Sequence, residues 1–149
     1  MLGEQVFTNA NIVLADEVVH GTITIDKGAI RSISSGISLL PQAIDLDGDY
    51  VMPGFIELHT DNLERYMNPR PGVDWPSLPA VVAHDAQIVS AGITTVFDAL
   101  AIGDVDPKQT RLQQLPRMVK AIEQAAANNT LRAEHFLHLR CEVSHESTL

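Results

Sequence analysis

His59 and Asp61 are the residues of this sequence whose types and spacing most directly suggest chemistry. They stand two apart within Val51-Met-Pro-Gly-Phe-Ile-Glu-Leu-His-Thr-Asp-Asn-Leu-Glu-Arg65, and on an extended strand residues two apart share a face. Phe55, Glu57, His59 and Asp61 then point one way, and Ile56 and Leu58 the other. The Cα atoms of His59 and Asp61 would lie about 6.6–7 Å apart. That is close enough for an imidazole nitrogen and a carboxylate oxygen to meet on one cation, and the pair suits zinc, manganese or iron. The plainer alternative is a strand end that carries two unrelated polar residues.

A second carboxylate stands near the C-terminus. The stretch from His135 to Val143 alternates, with Leu137, Leu139, Cys141 and Val143 on one face and His138, Arg140, Glu142 and Ser144 on the other. Glu142 at the end of that strand could bridge two metals, complete a single site, or pair with Arg140 or His138. Arg140 offers a planar fork suited to phosphate, or a partner for the nearby carboxylates. Asn62, Glu64 and Arg65 follow the ligand strand and are placed to line a mouth, and Arg70 is a loop cation that reads as a solvated charge or as one that could reach phosphate. Asp98 closes another strand and reads as a turn cap or as an orienting partner for a ligand. His84 and His20 read as surface or packing histidines, and Cys141 as a buried thiol. No glycine-rich phosphate loop, nucleophile elbow or paired-cysteine motif is present.

These residues need elements to position them. From about Val6 to Asp49 the pattern is all-β: Val6-Phe7 and Ile12-Val13-Leu14 read as short strands, Thr22 to Ile25 alternates, and Asp26-Lys27-Gly28 reads as a hairpin turn. Gly36 and Pro41 mark the exit. A strand follows at about Phe55 to Thr60, then a loop from Asn68 to Pro76 too rich in Pro and Gly for regular structure. A helix is expected from Ser77 to Ser90, where Val81, Val82, Ile88 and Val89 repeat at i and i+7 and Gly92 is placed to end it. Gly92 to Asp98 is a β-branched strand. A second helix spans about Arg111 to Asn128, with a stripe of Leu112, Leu115, Val119, Ile122 and Ala126 and with Pro116 at a start or kink. From Val51 onward the order is β-α-β-α-β, which implies parallel strands with right-handed crossovers.

Charged residues on the inner faces favour a barrel with an internal site over an open sheet that is apolar on both faces. A (β/α)₈ barrel takes roughly 250 residues. Residues 51–149 would supply about three of its units by that measure. The expected architecture is therefore α/β: residues 1–50 forming a small sheet that is part of a β-sandwich, then residues 51–149 forming the first three β/α units of a TIM-like barrel, cut short.

Composition narrows the partners. The chain has 149 residues, 45 % of them hydrophobic, and a net charge of −9. Nucleic acid and anionic membranes want Lys and Arg patches, so neither is expected. A metal or a few focused arginines would be needed to hold an anionic substrate. With one cysteine, Cys141, no internal disulfide can form, and a reducing, cytoplasmic setting is expected. No signal peptide or membrane span is expected.

Taken together, the small N-terminal β-region, Pro53-Gly-Phe-Ile-Glu-Leu-His-Thr-Asp61 and Gly92-Ile-Thr-Thr-Val-Phe-Asp98 resemble the amidohydrolase superfamily. The usual first-strand motif of that superfamily is His-x-His, and Asp61 stands here at its second position. The strings His59-Thr-Asp-Asn-Leu-Glu64, Pro69-Arg-Pro-Gly-Val-Asp-Trp-Pro76 and His138-Leu-Arg-Cys-Glu142 resemble one branch, the triphosphate diphosphatases of the carbon–phosphorus lyase pathway. The resemblance implies a hydrolase that uses a divalent metal, zinc or manganese, with His59, Asp61 and Glu142 as ligands. It implies a phosphorylated small-molecule substrate bound with help from Arg140, Arg70, Asn62 and Glu64. It also implies a functional link to other phosphonate-pathway enzymes and a possible homo-oligomer. The catalytic Asp and the remaining histidine ligands are expected beyond Leu149, which would leave this chain alone inactive. Two alternatives stand beside this reading. One is another superfamily branch acting on amide bonds, such as an N-acyl sugar deacetylase or a dihydroorotase-like enzyme; the other is a non-catalytic truncated chain.

Overall fold

The computed structural model describes residues 3–103 and 111–143; Ser144 lies outside them. The chain divides into two compact units, Met1–Pro53 and Gly54–Leu149.

The first unit is a sheet of five strands. β1 (Gln5–Val13), β2 (Val18–Asp26) and β3 (Ala29–Ser35) form an antiparallel meander, and β4 (Ile44–Asp45) and β5 (Tyr50–Val51) add parallel to β1. The turn between β2 and β3 places Lys27 and Gly28 at φ +52° and +79°, the two left-handed positions of a tight hairpin that matches strand twist. Val6-Phe7 and Ile12-Val13 belong to one nine-residue strand instead of two short ones. The strand passes through an irregularity at Asn9, whose φ is +54° and where the pairing with β2 shifts register. Asn tolerates that conformation, so the strand bulges without ending. Alternate residues Val6, Thr8, Ala10 and Ile12 are buried, and Ala10, Ile12 and Ile23 form the core, with Phe7, Ile25, Ile33, Leu46 and Val51 against it.

The second unit carries the candidate site. β6 (Phe55–Thr60), β7 (Ile93–Ile102) and β8 (Glu134–Cys141) form a parallel sheet in the order β6-β7-β8, with β7 central. The intervening helices are α1 (Asn62–Met67), α2 (Ser77–Ser90) and α3 (Arg111–Ala127). α2 has the expected bounds and ends as expected, with Gly92 at φ +77° just past its cap. The six-residue α1 was not expected. Thr60 Oγ1 accepts a hydrogen bond from the Asn62 N–H at 3.3 Å and so helps to start it.

The main core joins Leu63 and Met67 of α1, Ala80 and Val81 of α2, Leu100 of β7, and Met118, Ala121, Ile122 and Ala125 of α3. A smaller cluster joins Ile88, Val96 and Ala133. Val96 and Leu100 of β7 therefore face the helices, and Phe97, Ala99 and Ala101 face the other side of the sheet. Of the expected stripe of α3, Ile122 is buried and Leu115 and Val119 pack against the core, whereas Ala126 is exposed and Met118, Ala121 and Ala125 are buried beside them. Pro116 lies inside that helix, which continues through it. The outer strands are covered less well. Ile56 and Leu58 of β6 and Leu137 and Leu139 of β8 are exposed. Cys141 is exposed too, so the expectation of a buried thiol is wrong. Its strand face is apolar, but no helix among the described residues is packed against it.

Candidate functional site

The site lies where β6 and β8 end and α1 begins. Asp61 occupies the N-cap position of α1 but makes no capping hydrogen bond with its side chain. Its carboxylate turns instead to His59 and Arg140. His59 Nε2 lies 3.5 Å from Asp61 Oδ1, and Arg140 Nη1 lies 2.7 Å from the same oxygen. Both His59 and Asp61 are about half exposed. The backbone N–H of His59 donates to Glu57 Oε1 at 2.9 Å, which ties down the strand before it ends.

β8 delivers the other half. Glu142 follows the last residue of that strand and donates its backbone N–H to the Ile102 carbonyl at 2.9 Å. Arg140 Nη2 donates to Glu142 Oε1 at 3.1 Å. The Arg140 guanidinium thus joins Asp61 from the first strand of the sheet to Glu142 from the third. Glu142 is also 3.8 Å from Arg111 Nη1, and Arg111 Nε lies 3.2 Å from Glu64 Oε2. His59, Asp61, Glu64, Arg140 and Glu142 therefore form one connected cluster. Asn62 is the next residue along, at the start of α1. Arg70 stands apart in the loop, where it bridges to Val73 and makes no ion pair among the described residues.

Electrostatics mark Glu64. Burial pushes its carboxyl above the usual range, against the pull of Arg111 and Arg140 and with Asp61 adding to the rise. Glu64 Oε1 is buried without a hydrogen-bond partner, as is Arg140 Nε. An orphaned buried carboxylate oxygen calls for a partner, and the half-exposed His59–Asp61 pair offers the nitrogen and oxygen donors that a borderline-hard divalent cation accepts.

His138, expected only as a possible partner for Glu142, belongs to the first strand end instead. The His138 ring stands edge-on to that of His59, with centroids 4.9 Å apart, and its Nδ1 donates to the Leu58 carbonyl at 3.2 Å. The signal was its place on the polar face of β8.

A second polar cluster was missed altogether. Asp98 sits within β7, four residues before its end, rather than closing the strand as expected. It shares a face with Val96 and Leu100 and so points to the helices, away from the strand-end cluster. His84 Nε2 and His135 Nδ1 approach its two oxygens at 2.8 and 2.7 Å. His135 Nε2 lies 3.4 Å from Asp85, whose Oδ1 also accepts the backbone N–H groups of Arg132 and Ala133 at 2.9 Å each. All four side chains are essentially buried. His84 is thus a packing histidine, paired through Asp98. Burial would lower the His135 pKa, but hydrogen bonds and charges from Asp98 and Asp85 outweigh it and hold the imidazole above its usual range. Burial likewise raises Asp98, yet His135 and His84 hold it below the usual carboxylate range. Among the described residues, His84, Asp98 and His135 are the one group of three such side chains whose ligand atoms all lie within 4.8 Å of one another. His59, Asp61 and Glu142 are not drawn together so closely.

No protein-family model matches the chain. It is 49 % identical, over 97 % of its length, to the alpha-D-ribose 1-methylphosphonate 5-triphosphate diphosphatase of Escherichia coli (strain K12), and it spans 38 % of that protein. Its fold is similar to a third or less of several solved structures. A D-hydantoinase matches with TM-score 0.53 and 23 % identity over 91 % of this chain and 27 % of its own. A Xaa-Pro dipeptidase matches with TM-score 0.63 and 16 % identity over 91 % and 33 %. The N-acetyl-D-glucosamine-6-phosphate deacetylase of Mycobacterium smegmatis matches with TM-score 0.53 and 17 % identity over 92 % and 32 %. The resemblance read from the sequence, to a triphosphate diphosphatase, is borne out. No helix among the described residues is long and apolar enough to cross a membrane.

Proposed function

We propose, from that resemblance, that the whole protein is a divalent-metal-dependent hydrolase of the amidohydrolase type. It cleaves alpha-D-ribose 1-methylphosphonate 5-triphosphate to the 5-phosphate and pyrophosphate, and this chain supplies part of the site. The observation that carries the reading is the 49 % identity to the diphosphatase across nearly all of the chain. The half-exposed His59–Asp61 pair at a strand end supports it.

His59 and Asp61 would hold the cation, with Glu142 as a further carboxylate on the neighbouring strand end. Once bound, such a cation supplies Lewis acidity and offsets charge on the phosphates. The chain's own residues do the rest. His138 braces the His59 ring, and α1 leaves the Asp61 carboxylate uncapped and available. Arg140 spans Asp61 and Glu142 and would turn its fork to a phosphate held at the same strand ends. Asn62, Glu64 and Arg70 would contact the substrate from the rim. Zinc or manganese fits this nitrogen and oxygen donor set. A cytoplasmic setting, a homo-oligomer and a link to other phosphonate-pathway enzymes belong to the same proposal.

The test is release of pyrophosphate. Full-length protein loaded with zinc or manganese should release it from the ribosyl alkylphosphonate triphosphate, and His59→Ala should abolish the release. Metal-dependent turnover of an N-acyl sugar or a cyclic amide, with none of the triphosphate, would replace this reading with an amide-bond hydrolase. Loss of metal binding and of turnover on every such substrate would leave the non-catalytic reading.

A further inference from the structure

The chain carries ten Lys and Arg residues. Four of them, Arg65, Arg70, Arg111 and Arg117, line one open groove of about 1130 Å³. The groove runs between α1 with the loop after it and the first half of α3. Its lining includes two carboxylates, Glu64 and Asp74. A protein with net charge −9 thus concentrates an excess of two positive charges along one surface channel.

The walls are held in place. Asn68 Nδ2 donates to Gln114 Oε1 at 2.7 Å and Gln114 Nε2 donates back at 3.3 Å, fastening the loop to α3. Arg117 grips both oxygens of Asp74 at 2.8 and 3.2 Å. The Trp75 N–H donates to the Met67 carbonyl at 2.7 Å. Arg65 and Arg70 are exposed and make no ion pair among the described residues. Arg111 and Arg117 stand about 9 Å apart along the axis of α3, beyond the reach of a single phosphate. Arg117 and Arg111 already pair with carboxylates on the α3 wall, so the forks of Arg65 and Arg70 are the ones placed to grip phosphates bidentately, while the α3 arginines add positive charge opposite them. At one end the groove runs into the strand-end cluster, because Glu64 and Arg111 belong to both.

We propose that this groove is a binding site for a linear polyphosphate chain, gripped by Arg65 and Arg70 and facing the positive charge of Arg117 and Arg111, with Arg111 at the end nearest Asp61 and Glu142. Only the direction in which the chain lies rests on the reading of the strand ends as a diphosphatase centre; the binding itself does not need metal.

Calorimetry on the chain in EDTA, with sodium tripolyphosphate as the probe and orthophosphate as the comparison, tests it. Tripolyphosphate should bind at least about tenfold more tightly than orthophosphate, and the double variant R65A/R70A should weaken it by about tenfold or more without shifting the melting temperature. Arg70→Gln alone, at an exposed loop position, should give a smaller loss in the same direction. Lys27→Ala, in the other unit, should change nothing. Equal affinity for the two phosphates, an unaffected double variant, or an equal loss in Lys27→Ala would overturn the proposal. The two readings fail separately. Tripolyphosphate binding in a metal-loaded protein that releases no pyrophosphate would keep the groove and remove the diphosphatase. Pyrophosphate release that R65A/R70A leaves unchanged in KM would keep the diphosphatase and remove the groove.

Discussion

At the scale of single residues, the buried network has the sharper energetics. His135 lies between Asp85 and Asp98, with one ring nitrogen toward each, as an imidazolium with two donors would. Its folded-state pKa is raised above 6.5, so its contribution is complete below that value and is lost as pH rises through the raised one. Asp98 and Asp85 are lowered below 3.8, so theirs is present above that value and lost as pH falls through the lowered ones. Stability should therefore be greatest between about pH 4 and 6.5. Thermal melts from pH 6 to 8 should show a falling midpoint, and His135→Gln should flatten that slope. Asp98→Asn, which offers one of its two histidine partners a donor instead of an acceptor, should cost about 3 kcal/mol. A melting curve unchanged by Asp98→Asn would show that the network holds nothing together. At the strand ends, where side chains are half exposed, the same substitutions would act on binding and leave stability nearly untouched.

At the scale of elements, the sequence was most legible where one period ran without interruption. The bounds of α2 and β6 follow from a helical repeat ended by Gly92 and a strand opened by Pro53-Gly54. It was least legible where pairing partners decide. β4 and β5 have two residues each and exist because β1 offers them an edge. The six residues of α1 are too few to show a period. His59, Asp61, Arg140 and Glu142 could be assigned to strand ends from alternation alone. Arg140 as a partner for nearby carboxylates was one of the two readings of that residue; that one of them is Asp61 of another strand could not be read, because it depends on how β6 and β8 flank β7. The second cluster left only a trace that went unread: Asp98 and His135 each sit on an otherwise apolar strand face, and polar residues there need partners. The sheet of the first unit yields its own prediction. A Cβ at Gly21 would fall 2.0 Å from the Ser34 carbonyl oxygen, a backbone atom that cannot swing away. Gly21→Ala should push β3 from β2 and lower stability by about 2 kcal/mol. Denaturant unfolding would measure it, and wild-type stability would contradict the close approach.

At the scale of the whole molecule, what stands out is uncovered apolar surface. Ile56 and Leu58 are 61 % and 68 % exposed on one outer strand, and Leu137 and Leu139 are 42 % and 53 % exposed on the other. Among the described residues both strands also offer an unpaired edge. The 149-residue chain should therefore self-associate, with a sedimentation coefficient that rises with concentration, and charged substitutions at Leu58 and Leu139 should reduce the effect. A monodisperse monomer that unfolds cooperatively would contradict this. The His84–Asp98–His135 chain bears on the same sheet in another way. Parallel strands assemble slowly, through contacts distant in sequence, and Ala99 and Ala101 beside Asp98 would accept either face. A one-residue slip of β7 would turn Asp98 out of its pocket and strand His84 and His135 in an apolar layer. The network thus acts as a register lock on the sheet, because only the native alignment keeps these buried charges paired.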